Sequence, residues 1–382
     1  MSYSMFLLLD YMEKISQAYP DLDLQLLLMS DMTRNLIHAD RCTIWLHDDI
    51  TYELWSKVAH GVDRMRIPDD KGVAGHVFVT GEMYLVNDVS NDEFYFGGMD
   101  NKTGYNTKSM IAVPLKYSDG ATFGVFQILN KLDDNGNDGC FNDIDIEISK
   151  MTAHFCEQAL INSVLDEKVK NAQRDMIFLL SDVVENRSLE TANHVHRVSD
   201  ICMVLGKLYG LNEEMLATIH LAAALHDVGK IAVPDAVLNK PGKLTDEERE
   251  IMQTHSATGY KILKKFDTKM MNMAADIAHE HHERYDGKGY PRGIAGEDIS
   301  IYARIAAVAD VFDALACERV YKKPWPKEKI IALFQEEKGK QFDPVLTQLF
   351  LDNVDMFFDI LSKYSDSNSE NNDESLSQEV YK

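Results

Sequence analysis

HEHHERYDGKGYP, residues 279–291, sets three histidines and three acids ahead of a glycine-punctuated loop that closes on proline. Glycine at 287 and 289 and proline at 291 stop a helix, so the histidines sit at a helix end. His281 and His282 are adjacent and must project in different directions. Two such side chains do not easily chelate one ion, but each can serve a different one. HDVGK (226–230) poses the same geometry: Asp227 can bridge two metals while its neighbour His226 holds one. Around these segments lie ETANHVHRV (190–198), His255 and AVADVFDAL (307–315). Glu190 and His194 are four apart and share a helix face. Asp310 stands in an apolar run, where a lone carboxylate is costly to bury unless it meets a cation. Eight of the 13 histidines fall between His194 and His282.

Imidazole and carboxylate without thiolate suit Fe, Mn, Zn or Ni. Glu190, His194, His226, Asp227, His255, His281, His282 and Asp310 are more ligands than one ion needs, so two or three metals are implied. Closely spaced metals clamp the oxygens of a phosphoryl displacement and generate hydroxide at neutral pH. His196 and His220 read as ordinary core or surface histidines. His279 reads equally well as a packing residue or as a support for His282.

The totals bound the class. The chain has 382 residues, 39 basic and 62 acidic, for a formal net charge of −23. That length suggests two or three domains, and 45 % hydrophobic residues suffice for a core in each. A charge of −23 repels nucleic-acid polymers, whose binding depends on neutralised phosphates. A small anionic ligand remains compatible, because local cations or metal ions can oppose the global field. The cysteines, 42, 140, 156, 202 and 317, form no CxxC pair, so reduced thiols of a cytoplasmic protein are expected. The N-terminal MSYSMFLLLDYMEK has no basic n-region, and no run approaches 18 uninterrupted apolar residues, so neither a secretory signal nor a membrane span is expected.

Residues 1–143 read as an α/β domain with an N-terminal helix. CTIWLHD (42–48), SMIAVPLKY (109–117) and TFGVFQILNK (122–131) are strands, the last two joined by the hairpin turn SDGA at 118–121. In GVAGHVFVTGE (72–82) a short helix fits between Gly75 and Gly81. From Asp143 to Arg187 there is no glycine or proline, and nine of eleven heptad positions are apolar. The spacing predicts one long linker helix, 144–187, that pairs as a parallel dimer. The polar Gln158 and Asn162 would mark a weak point in that seam. Residues 188–362 read as all-α, and 363–382 as a disordered acidic tail.

These blocks resemble the HD-GYP phosphodiesterases. HDVGK is similar to the HDxGK signature, and HHERYDGKGYP (281–291) matches HHExxDGxGYP at every defined position. ENR (185–187), the His194, Arg197, Val198 spacing, and ADVFDAL followed by ERVYKK (318–323) also fit. The resemblance covers roughly 175–350 and implies hydrolysis of cyclic di-GMP to linear pGpG, with further cleavage to GMP an open step. It carries His194, His226, Asp227, His255, His281, His282 and Asp310 over as metal ligands. Glu190 stands where some members recruit a third metal, so a trinuclear iron or manganese site is expected. Lys230 matches a lysine that contacts substrate phosphate, and Asp313 is expected to orient a ligand or the attacking water. Tyr290, Arg319 and Lys322 match substrate contacts, and the GYP loop is also a docking surface for diguanylate cyclase domains in the family.

The front blocks resemble GAF sensors over about 25–160, an antiparallel sheet with helices. Asn130–Lys131, Phe141 and Asp145 are similar to a pattern of cyclic-nucleotide-binding GAF domains, broken by Ile146 where glutamate is expected. A small-molecule ligand and regulation of the catalytic domain are what the resemblance implies. The alternatives are hydrolysis of 3′,3′-cyclic GMP-AMP, a non-catalytic dinucleotide sensor, and di-iron oxygen chemistry. The DGKGYP loop and the Arg319–Lys322 pair favour a phosphate substrate over the last.

Overall fold

The computed structural model of the protein describes residues 3–364, apart from 61–63, 134, 189–192 and 319–322. The chain divides into two compact units, Met1–Val169 and Lys170–Lys382.

In the first unit, helices α1 (Tyr3–Gln17) and α2 (Leu22–Leu36) precede β1 (Ala39–Asp48), β2 (Glu53–Ala59) and β3 (Arg66–Pro68). Helix α3 (Gly72–Thr80), β4 (Tyr84–Val86), α4 (Gly98–Thr103), β5 (Met110–Lys116) and β6 (Thr122–Lys131) follow. The strands form one antiparallel sheet in the order β3-β2-β1-β6-β5-β4. Strand alternation sends Cys42, Ile44, Phe126 and Ile128 to one face, where they bury with Leu26 and Met29 of α2 and with Ala153, Cys156 and Leu160. Trp45, Met110, Ala112 and Val125 go to the other face and pack on Val73, Ala74 and Val77 of α3. β5 and β6 pair across the turn at 118–121, and α3 starts at Gly72, ahead of the Gly75 from which the sequence suggests it. The Lys131 ammonium lies 2.9 Å from the Asp145 carboxylate, so the GAF-like lysine–aspartate tie is present despite Ile146.

Helix α5 runs from Asp143 to Glu185, 43 residues with no breaker. Of the expected seam, Met151, Phe155, Leu165, Val169, Met176, Leu179 and Val183 are exposed, while Ile148 packs against the core of the first unit.

The second unit is helical: α6 (His194–Tyr209), α7 (Glu213–Ala223), α8 (Asp235–Leu238), α9 (Asp246–Leu263), α10 (Lys269–Glu280), α11 (Ile301–Ala316), α12 (Lys327–Glu337), α13 (Pro344–Asp352) and α14 (Val354–Lys363). A 3-10 turn, Val228–Ala232, links α7 to α8. Helix α9 starts in a capping box, with Thr245 and Glu248 satisfying each other's backbone N–H groups. The core is aliphatic around α6, α7, α10 and α11, with Phe312, Phe334, Phe342, Phe350 and Phe357 filling one end. Among the described residues no helix is long and apolar enough to cross a membrane. The tail from 365 on lies outside the described residues.

Candidate metal centre

Two of the histidine pairs use helix ends to solve their geometric problem. Chain bends after α7 let His226 and Asp227 converge, and His281 is the C-cap of α10 with His282 just beyond it. His194 opens α6, His255 projects from the middle of α9, and Asp310 and Asp313 lie one turn apart on α11. Ligand atoms of Asp227, His255, His281 and His282 lie within 4.8 Å of one another. A second group, His194, His226 and Asp310, meets the same limit. Asp227 joins the two: its Oδ1 is 3.2 Å from His255 Nε2 and 3.6 Å from His281 Nε2, and its Oδ2 is 3.3 Å from His226 Nε2.

The imidazoles are held in one sense. Nδ1 of His226 bonds the Ala223 carbonyl at 2.8 Å, Nδ1 of His255 the Met252 carbonyl at 2.7 Å, and Nδ1 of His281 the Ile277 carbonyl at 3.0 Å. A carbonyl only accepts, so each Nδ1 carries the proton and each Nε2 turns a lone pair inward. His194 Nδ1 is 2.7 Å from Asp313 Oδ2, which fixes the same tautomer through a carboxylate. Nε2 of His226 and His281 and Oδ1 of Asp227 are buried with no hydrogen-bond partner among the described residues. Orphaned acceptors of this kind are costly, and a cation satisfies all of them together. The residues therefore fit a cluster of divalent metals.

The carboxylates draw positive charge to the same atoms. Burial alone would depress His226, but the neighbouring Asp227, Asp310 and Glu185 carboxylates push it up to about 10, so its inward Nε2 takes a proton near neutral pH unless a metal takes that place. Burial lowers His281, and burial together with His281 and His255 holds His282 well below the usual range. Burial alone would raise Asp227, yet Lys230 and His226 keep it well below the usual carboxylate range. Asp313 also resists burial, because hydrogen bonds from His194 and Arg197 keep it ionised.

Lys230, 8 % exposed, places its ammonium 2.7 Å from Asp227 Oδ2 and 3.5 Å from Glu185 Oε1. The Tyr290 ring lies 4.7 Å from that of His282, centroid to centroid, and burial keeps its phenol protonated. His279 turns away and stacks on Tyr260, and His196 stacks on Phe178. Glu190, Arg319 and Lys322 lie outside the described residues.

Four partners of the centre received no role in the sequence reading. Arg197 grips Asp313 with two nitrogens, at 2.6 and 3.0 Å. Glu185, buried at the end of α5, faces Lys230. Arg187 donates to the carbonyls of Lys230, Ile231 and Val233 and so cradles the 3-10 turn. Glu283 accepts from the backbone N–H groups of Arg292 and Gly293 and pins the loop that carries Tyr290. The ENR and HHE motifs held the signal for the last three; that Arg197 meets Asp313 is visible only once α6 and α11 pack.

Comparison with known proteins agrees with both halves. Residues 178–346 match the HD domain family and residues 21–160 the GAF domain family. The chain therefore joins an α/β GAF domain to a helical HD domain. The HD half resembles the 3′3′-cGAMP-specific phosphodiesterase 2 of Vibrio cholerae, 44 % identical over 54 % of this chain and 39 % of that one. It also resembles the cyclic di-GMP phosphodiesterase response regulator RpfG of Xanthomonas campestris, at 42 % over 52 % of each. A cyclic di-GMP phosphodiesterase of Thermotoga maritima is 37 % identical over 52 % of this chain and 54 % of its own. The chain spans about half the length, or less, of these curated relatives.

Proposed function

We propose that the protein hydrolyses a phosphodiester bond of a cyclic dinucleotide, cyclic di-GMP foremost, to linear pGpG or, with a second cut, to GMP. One observation carries this reading: two groups of inward-facing imidazoles and carboxylates are joined by Asp227, with a buried lysine against the same carboxylate. The metals, proposed as iron or manganese, would supply charge to the phosphoryl oxygens and an acidified water for attack. His194, His226, Asp227, His255, His281, His282 and Asp310 are the proposed ligands, with Glu190 for a third ion. Asp313 holds the His194 tautomer by its 2.7 Å contact, and Arg197 keeps Asp313 anionic. Lys230 adds positive charge where a twice-anionic substrate needs it. Tyr290 lies beside His282 and offers its ring and hydroxyl to the ligand, and Arg319 and Lys322 are proposed to hold phosphate or guanine.

Hydrolysis of 3′,3′-cyclic GMP-AMP is the second reading, favoured by the 44 % identity to the cGAMP-specific relative. A base swap changes only a few edge contacts. A cytoplasmic homodimer with the GAF domain regulating the HD domain is part of the same proposal. The exposed seam of α5 supports the pairing, since seven large apolar heptad residues are left facing solvent.

Replacing Asp227 with alanine tests the centre. Both metal content and turnover should be lost together. Full turnover with metal retained would overturn the assignment.

A further inference from the structure

Helix α5 ends on a residue that helix electrostatics disfavours. Glu185 closes it, and the last turn holds no basic side chain. The free carbonyls at a helix C-terminus carry partial negative charge, so a lysine or arginine is favoured there and a carboxylate is repelled. Glu185 is also buried, at 3 % exposed. A carboxylate in such a place persists only where a cation and hydrogen bonds compensate it.

That compensation has a direction. The Ser188 hydroxyl lies 3.2 Å from Glu185 Oε2, and Oε1 faces the Lys230 ammonium at 3.5 Å. The same ammonium lies 2.7 Å from Asp227 Oδ2. The backbone of Lys230 is pinned on both sides. Its N–H donates to the Asp227 carbonyl at 2.9 Å, and its carbonyl accepts from Arg187 at 3.3 Å. Only the flexible end of the side chain is left to choose between the two carboxylates. The choice matters because Asp227 Oδ2 also faces His226 Nε2, at 3.3 Å. The ammonium therefore stands on an oxygen that the metal centre needs, and two cations on one oxygen repel each other.

We propose that Glu185 is a positioning residue that takes up the Lys230 ammonium when metal binds Asp227. The inference rests on the metal-centre reading and adds to it a competition between a lysine and a metal for one carboxylate. With Glu185 ionised, the lysine has a second anion and gives up Asp227 at small cost. With a neutral residue at 185, the ammonium stays on Asp227 and the metal must displace it.

Mn(II) titration of the full chain by calorimetry, with no substrate present, tests this apart from turnover. Glu185→Gln keeps the shape and removes the charge, and should weaken Mn(II) binding by about tenfold, the scale of one hydrogen bond between charged groups. Lys230→Met should bind Mn(II) at least as tightly as the parent, because the competing cation is gone. In the Lys230→Met background, Glu185→Gln should change the affinity by less than about twofold, since no ammonium remains to be taken up. An equal loss in both backgrounds would mean that Glu185 acts on the metals directly or through the fold, and would overturn the proposal. Parental affinity in Glu185→Gln, or weaker binding in Lys230→Met than in the parent, would overturn it too. A parent chain that binds no Mn(II) would instead overturn the metal-centre reading, and this inference with it.

Discussion

Gly229→Ala adds one methyl group and should dismantle the metal centre. A Cβ at Gly229 would sit 1.9 Å from the His255 carbonyl oxygen, 2.6 Å from Gly259 N and 2.8 Å from His255 C. All three are backbone atoms of α9, so no flexible side chain can swing aside. Cβ contacts below 3.0 Å essentially never occur, and relieving this one needs a shift of about 1 Å between the 3-10 turn and α9. The turn carries Asp227 and Lys230, and α9 carries His255. Metal–ligand distances tolerate about 0.2 Å, so a shift of that size breaks ligation. Overpacking itself costs about 1–3 kcal/mol, or roughly 2–12 °C in melting temperature for a unit of this size. Thermal melts and metal analysis of the purified variant read both effects. A Gly229→Ala protein with unchanged melting temperature and metal content would refute the close-approach reasoning.

Other outcomes follow from single contacts. Asp313→Asn should lower metal affinity or activity by about 10–100-fold, because it releases the His194 tautomer and leaves Arg197 without its anion; metal titration showing parental affinity together with parental turnover would count against it. Met176→Glu with Leu179→Glu should convert a dimer to a monomer by light scattering, since both side chains are more than 60 % exposed on the apolar seam; an unchanged dimer would place the interface elsewhere. Asp200 is kept below the usual carboxylate range despite burial, by hydrogen bonds from His220 and Tyr364. Its folded pKa is therefore lower than its unfolded one. The stabilisation is full above about pH 4 and fades as pH falls through the folded value. Asp200→Asn should cost about 1–2 kcal/mol in urea unfolding at pH 7 and progressively less as the pH falls below about 4; an equal gap throughout the acid range would contradict the linkage.

The proposed ligand residues were legible because two adjacent pairs, His226–Asp227 and His281–His282, are hard to explain as packing residues. Their supports were less so. Glu185 stands 45 positions from Lys230 and reaches it only through the packing of the end of α5 on the 3-10 turn. Asp313 could be suspected from its place one turn after Asp310, but its grip by Arg197 spans 116 positions. In the GAF half, the long strands β1, β5 and β6 showed in composition. Strands β3 and β4 have three residues each, too short for a period of two to declare itself. β2 alternates in burial, but its buried face, Leu54, Ser56 and Val58, includes a serine that interrupts the apolar period. The heptad of α5 was read from its apolar spacing, but a sequence pattern does not say whether a second copy or the same chain covers it.

The most direct test of the central claim is product formation by the full chain, purified anaerobically and loaded with Fe(II) or Mn(II). Cyclic di-GMP and 3′,3′-cyclic GMP-AMP would be supplied side by side, with products resolved by chromatography. Linear pGpG or GMP, formed faster than the hybrid is cut and lost on chelation, is the expected result. No cleavage of either dinucleotide by protein with its metals confirmed bound would contradict it.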